Sequence, residues 1–194
     1  MLQSLAHDDA TKTLVDYWCS LPRKTGELCP SRNDFRMMDI SEISDRTFLD
    51  ERHGDDNICV VQTGSTITKL LGVDLTGHNI LEMLPPRLFA IERAYFQALA
   101  SQPCAGYITR HSSQATGRKF IYRSTHLPLL SDAGNVGFWV GTGSILEENH
   151  YPADENASKF GHLELLDREY FDIGAGVPKP EMLSPAWTSR APSS

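Results

Sequence analysis

Between Asn57 and Leu84 the chain reads NICVVQTGSTITKLLGVDLTGHNILEML, and this run narrows the folds open to it more than any other. A short apolar strand, Ile58 to Val61, breaks at Gly64, and Ser65 and Thr66 then stand as candidate N-caps before the helical triplet Ile67, Leu70 and Leu71. Gly72 stops that turn. Asp74 to Gly77 reads as a tight loop whose glycine is free to take a positive φ, after which Ile80, Leu81 and Leu84 offer a second apolar helical face. Strand, one-turn helix, glycine loop and helix make the front half of a small sensor fold. The pattern points to sensing or binding and names no ligand.

Ahead of this run, Thr47 to Glu51 reads as a first strand and residues 53–57, HGDDN, as a turn, so the two strands should pair antiparallel. Asp39 or Ser41 would cap a short helical turn through Ile40 and Ile43. Further upstream, residues 11–21 place Leu14, Val15, Trp18 and Leu21 on one helical face, and Pro22 ends it. Such a helix either covers the open face of a sheet or pairs with its copy in a second subunit. Leu14, Trp18 and Leu21 are the interface in both cases, with Trp18 as anchor. Residues 23–36 are a polar, irregular connection.

Behind the run, Pro85 and Pro86 sit where a helix tolerates proline, in its first turn. The helix Arg87 to Ala100 carries Leu88, Ile91, Tyr95, Ala98 and Leu99 along one face, widened by Phe89 and Phe96. Arg93 borders that face, either laying its stem over apolar surface or aiming a cation into a pocket. Pro103 breaks the helix and three strands follow: Ala105 to His111, Lys119 to Leu129, and Val136 to Ile145. Alternation puts Phe120, Tyr122, Ser124 and His126 on one face of the second and Ile121, Arg123, Thr125 and Leu127 on the other. Three glycines, Gly137, Gly141 and Gly143, loosen the last strand unless a ligand, a helix or the N-terminal segment approaches its backbone.

The fold class is therefore α+β, a five-stranded antiparallel sheet with helices on one face and an added N-terminal helix. Residues 1–36 form that helix and its connection, 37–147 the sensor domain, and 148–194 a polar extension. Within the extension Leu163, Leu165, Leu166, Tyr170 and Phe171 make one short apolar patch for docking. From Gly174 onward Gly, Pro, Ser and Ala dominate, so disorder is expected near the end.

Composition excludes several classes. The 194 residues, 40% hydrophobic, suit one domain with extensions, and the net charge of −7 lacks the clustered cations a nucleic-acid binder needs. No apolar run approaches the roughly 20 residues that span a bilayer, and the N-terminus carries acids where a signal peptide needs a basic start. The cytoplasm is the expected compartment. Cys19, Cys29, Cys59 and Cys104 stand far apart without a CxxC, so buried apolar thiols are expected rather than a zinc or redox site.

Two strands, short helices, one longer helix and three strands resemble a PAS domain. The resemblance is to the bacterial stand-alone type with a tryptophan-bearing helix in front: Tyr17-Trp18, then Pro30-Ser31-Arg32-Asn33-Asp34-Phe35, Asp39-Ile40, Gly64, Gly72-Val73-Asp74-Leu75-Thr76-Gly77, and Leu127-Pro128-Leu129. It spans about residues 12–146. It implies a sensory, signal-transduction or protein-interaction module, often a homodimer, binding a small ligand or a protein partner. Haem-binding members use a histidine on the long helix and residues 87–100 hold none; flavin photoreceptors use an Asn-Cys-Arg cysteine, which neither Cys59 nor Cys104 matches. The cofactor is left open. With no kinase, cyclase or helix-turn-helix pattern in the chain, output is expected through an unidentified signalling partner in trans.

In such a fold the long helix and the Ile67 to Leu71 turn roof the sheet. The expected pocket is therefore Leu71, Tyr95 and Phe96 from above and Tyr107, Tyr122 and Phe138 from below, with Arg93 as its cation. Two alternatives stand beside it, a ligand-free interaction scaffold and a small cavity enzyme of isomerase or dehydratase type. The enzyme would draw on Tyr107, Tyr122 and His126 with Asp74 or Arg93, though no G-x-S-x-G, HExxH or phosphate loop is present.

Overall fold

In the computed structural model, which describes residues 2–152 and 162–179, the first helix is set by its cap. Asp8 is extended, and its carboxylate accepts the Thr11 N–H at 2.8 Å, opening α1 (Asp9–Ser20) with one orphan donor satisfied. At the other end Arg23 donates to the carbonyls of Trp18, Cys19 and Leu21 and lies 4.4 Å over the Trp18 ring. Both ends of α1 are thus fastened by side chains. Leu14, Val15 and Trp18 are buried, and Trp18 Nε1 donates to Pro128 O at 2.9 Å.

Strands β1 (Thr47–Arg52) and β2 (Ile58–Thr63) form an antiparallel hairpin, followed by α2 (Ser65–Leu71) and α3 (Pro86–Ser101). The chain then runs through β3 (Cys104–Ser113), β4 (Arg118–Leu130), β5 (Val136–His150) and β6 (His162–Asp172). One sheet results, in the order β2-β1-β5-β4-β3-β6, with each neighbouring pair antiparallel. Helices α2 and α3 pack on its inner face and α1 on its outer face.

Several expectations need correction. The sheet has six strands, not five: β6 pairs with β3 along its whole length. Leu163, Leu165 and Tyr170 share the inner face, opposite Ser112, Arg110 and Gly106, while Phe171 opposite Ala105 faces outward, and a bulge between Leu165 and Tyr170 shifts the alternation from odd to even positions. Period-2 alternation was therefore hidden, and the stretch reads as a patch in a polar extension. Neither Ser65 nor Thr66 caps α2. Gly64 holds that position without a side-chain bond, while the Thr66 hydroxyl donates to Asp45. Gly72 does end the helix, at φ 73°, in the left-handed conformation that glycine adopts without strain.

No helix forms at Ile80, Leu81 and Leu84. The backbone there is committed elsewhere: Gly77 N donates to Val60 O, Val60 N to His78 O and Ile80 N to Ile58 O, at 2.7, 3.0 and 2.9 Å. These bonds close the first half of the outer edge of β2, and the helix cannot begin until Pro86. The expectation of disorder at the chain end falls mainly on residues 180–194, outside the described residues.

Candidate functional site

Cross-strand register places one row of residues beneath α3. Phe48 lies opposite Gly141, Gly141 opposite His126, His126 opposite Gly106, and Gly106 opposite Tyr170. Two glycines in that row make room for rings. A Cβ on Gly141 would stand 2.2 Å from the Phe48 ring, and one on Gly106 would stand 2.7 Å from the Tyr95 hydroxyl. The approach at Gly141 is thus the Thr125 carbonyl of β4, at 1.9 Å from that Cβ position, together with the Phe48 ring from β1.

Rings fill the space so created. Phe96 sits 5.1 Å from Trp139 and 5.2 Å from His126, while Tyr95 sits 5.3 Å from Phe96 and 5.5 Å from Tyr170, all centroid to centroid. Tyr95, Phe96, His126 and Trp139 are each at most 2% exposed. The Tyr95 hydroxyl meets His126 Nδ1 at 3.1 Å.

Beside the rings lies a charged cluster. Arg110 on β3 makes a two-pronged bond to Glu92 on α3, Nε to Oε1 at 2.8 Å and Nη2 to Oε2 at 2.6 Å, with both side chains buried. Its third nitrogen donates to Ser124 Oγ at 3.2 Å, and its guanidinium lies 5.6 Å from the Tyr122 ring centroid. Burial opposes the charge on Arg110, but Glu92 overcomes this and holds the guanidinium protonated. Asp50 on β1, 3% exposed, accepts no side-chain hydrogen bond among the described residues. Burial pushes its carboxyl up to about 8, against the pull of Arg110. Burial, with Arg110 adding to it, drives the His126 imidazole down to about 3, so that ring is neutral. Tyr95 and Tyr122 are raised by burial and stay protonated.

Of the residues expected to form a pocket, Tyr95 and Phe96 come together on this inner face, while Tyr122 lies on the same face in a separate cluster with Leu70 and Phe120, against which Leu71 packs. Tyr107 and Phe138 do not join them. Tyr107 pairs in register with Thr125 and Phe138 with Leu129, which puts both on the outer face. There Tyr107 donates to Asp167 and Glu169 and stacks with Arg123, while Phe138 lies under Arg32. Arg93 is not aimed inward; it pairs with Asp56 on the surface. Leu14, Trp18 and Leu21 are buried within this chain, so α1 covers the sheet here.

Sequence reasoning missed Asp50, Glu92, Arg110 and Ser124. A signal was available for Glu92, a polar residue on a helical face otherwise apolar, three positions before Tyr95 and four before Phe96.

Two surface depressions lie away from this cluster. One of about 390 Å³ is lined by Leu81, Glu82, Leu84, Pro86 and Phe89, the other of about 290 Å³ by Gln3, Ala6, Lys12, Val15 and Asp16. No group of three or more His, Cys, Asp or Glu able to hold a metal occurs among the described residues. Cys104 is fully buried with its thiol pushed up to about 12 by burial. No described helix is long and apolar enough to cross a membrane.

A six-stranded antiparallel sheet with a long helix across one face is an α+β architecture. The family model for the PAS domain matches residues 6–143, and the chain belongs to that family. It is a sensory and signalling module of that kind. Among solved structures, it is similar to a chain described as "Flavin Analogue Sheds Light on Light-Oxygen-Voltage Domain Mechanism", at 14% identity and a TM-score of 0.43, covering 57% of this chain and 83% of that one. No curated protein matches.

Proposed function

We propose that this module signals through contact with a protein partner in trans, and that the interior beneath α3 is a closed, charged cluster rather than a ligand chamber. The observation that carries the reading is occupancy: Tyr95, Phe96, His126 and Trp139 stand ring to ring in the space between helix and sheet. Glu92 and Arg110 satisfy one another there, which leaves neither charge available as a catalytic acid or base without breaking a buried pair. A homodimer using Leu14, Trp18 and Leu21 would require α1 to leave the sheet, so self-association is assigned to another surface.

Asp50 favours a second reading. A buried carboxyl without a hydrogen-bond partner suits a small molecule that brings its own N–H or O–H donor. Native mass spectrometry of the protein purified without added ligand separates the two. The bare polypeptide mass is expected; an additional retained mass, absent from Asp50→Leu, would replace the closed interior with a ligand site and leave the partner in trans untouched.

A further inference from the structure

The two edges of the sheet are treated differently by the chain. Along the first half of β2 the outward backbone groups of Ile58 and Val60 are taken by residues 77–80, Asn79 Oδ1 accepting the Ile58 N–H. Along β6 no described main-chain segment does the same: β3 pairs with one side, no described strand pairs with the other, and the Arg87 side chain reaches its main chain at Leu163 O. An unpaired edge of 11 residues is a template for another strand.

Register shows what that strand must look like. Glu164 pairs with His111, Asp167 with Thr109 and Glu169 with Tyr107, so all three carboxylates project to the outer face and all three are exposed. Asp167 would point to the inner face in an unbroken strand, being three residues from Glu164. The bulge at Leu166 turns it round. The result is a row of acids along one face of an open edge. Of the cations near it, Arg123 is stacked on the Tyr107 ring and donates to Thr109, and Arg87 donates to Leu163 O at the start of the strand. Arg168 projects to the opposite face and donates to Ile91 O.

We infer that β6 is a docking edge for an extended basic segment of a partner protein, which adds as a further antiparallel strand and lays Lys or Arg side chains over Glu164, Asp167 and Glu169. The inference rests on the reading that output passes to a partner in trans. Main-chain pairing supplies the contact and the acids supply selection. A second copy of this chain is a poor occupant, because two β6 edges would set carboxylate against carboxylate.

The test uses the full chain and a short peptide of alternating Lys and Thr, with two controls: the same peptide N-methylated on alternate backbone amides, which keeps charge and removes one hydrogen-bonding edge, and a Glu-Thr peptide. Binding of the Lys-Thr peptide is expected to bring hydrogen-exchange protection to amides within residues 162–172. N-methylation and the triple variant Glu164→Lys/Asp167→Lys/Glu169→Lys should each weaken it by about tenfold or more, and the Glu-Thr peptide should not bind. Thermal melts confirm that the variant is folded. Failure of the Lys-Thr peptide to bind, equal binding of the N-methylated peptide, or protection confined to other strands overturns the inference. So does outward protection of β6 in the free protein, whether in a monomer whose own chain has taken the edge or in a dimer paired through it. A negative result here leaves the filled interior standing, and a ligand found by mass spectrometry leaves this edge standing.

Discussion

The two faces of the sheet are covered by different chemistry. On the outer face α1 is held by apolar burial of Leu14, Val15 and Trp18 and by neutral hydrogen bonds, Thr11 to Thr142 at 2.9 Å and Trp18 to Pro128 O. Only its cap carries a charge, where Ser144 donates to Asp8. On the inner face Glu92 of α3 meets Arg110, with Asp50 and His126 on the sheet beside them, all buried. The outer cover should respond to protonation only in acid, where Asp8, opposed by burial but held below the usual carboxylate range by its bonds to Ser144 and Thr11, takes up its proton. The inner one should respond to protonation, and it is the face where a change in charge can be turned into a change in packing.

Breaking each face should cost differently. Arg110→Met strands a buried Glu92 and should lower the unfolding free energy by about 3–5 kcal/mol in denaturant titration, while the double variant Arg110→Met/Glu92→Leu should recover most of it. That recovery is the mark of a pair. Trp18→Ala on the outer face should cost about 3 kcal/mol with no such rescue, because it removes buried area and orphans Pro128 O. Sedimentation of the same variant reads whether self-association depends on α1.

Smaller changes sharpen the contrast. Thr11→Val should cost about 1 kcal/mol by leaving the Thr142 hydroxyl alone in the outer interface. Arg93→Ala, which loses only a surface pair with Asp56, should change stability by less than about 0.5 kcal/mol.

Much of this arrangement was legible beforehand. The helix over Leu14 and Trp18, the β1–β2 hairpin, the long helix after Pro86 and the two faces of β4 follow from periodicity, proline position and alternation, which are local. The assignment of Tyr107 and Phe138 to the pocket failed because face depends on register, and register is decided by partners far away in the chain. Strand β6 was hidden by its bulge at Leu166. The Ile80 to Leu84 segment kept its apolar spacing but lost its backbone to β2, a long-range commitment that no local signal announces. In the site, aromatic positions were found and charged ones missed. Glu92 was marked only by its place on an apolar helical face, and a buried Arg110 looks like a surface residue until its partner is known.

The charged interior is tested most directly by stability against pH in the wild-type chain and Asp50→Asn. Asp50 titrates at about 8 folded against 3.8 unfolded, so the folded state holds its proton more tightly and stability falls as pH rises between those values. His126 titrates at about 3 folded against 6.5 unfolded, so its contribution is lost as pH falls below 6.5. The two slopes offset one another between about 4 and 6.5, and from 6.5 to 8 only Asp50 acts. The wild-type protein should lose about 2 kcal/mol across that upper window, and Asp50→Asn should lose almost none. An equal loss in both proteins, or a flat profile in the wild type, would mean that Asp50 is ionised in the folded state and that the interior is not the closed, charged cluster described.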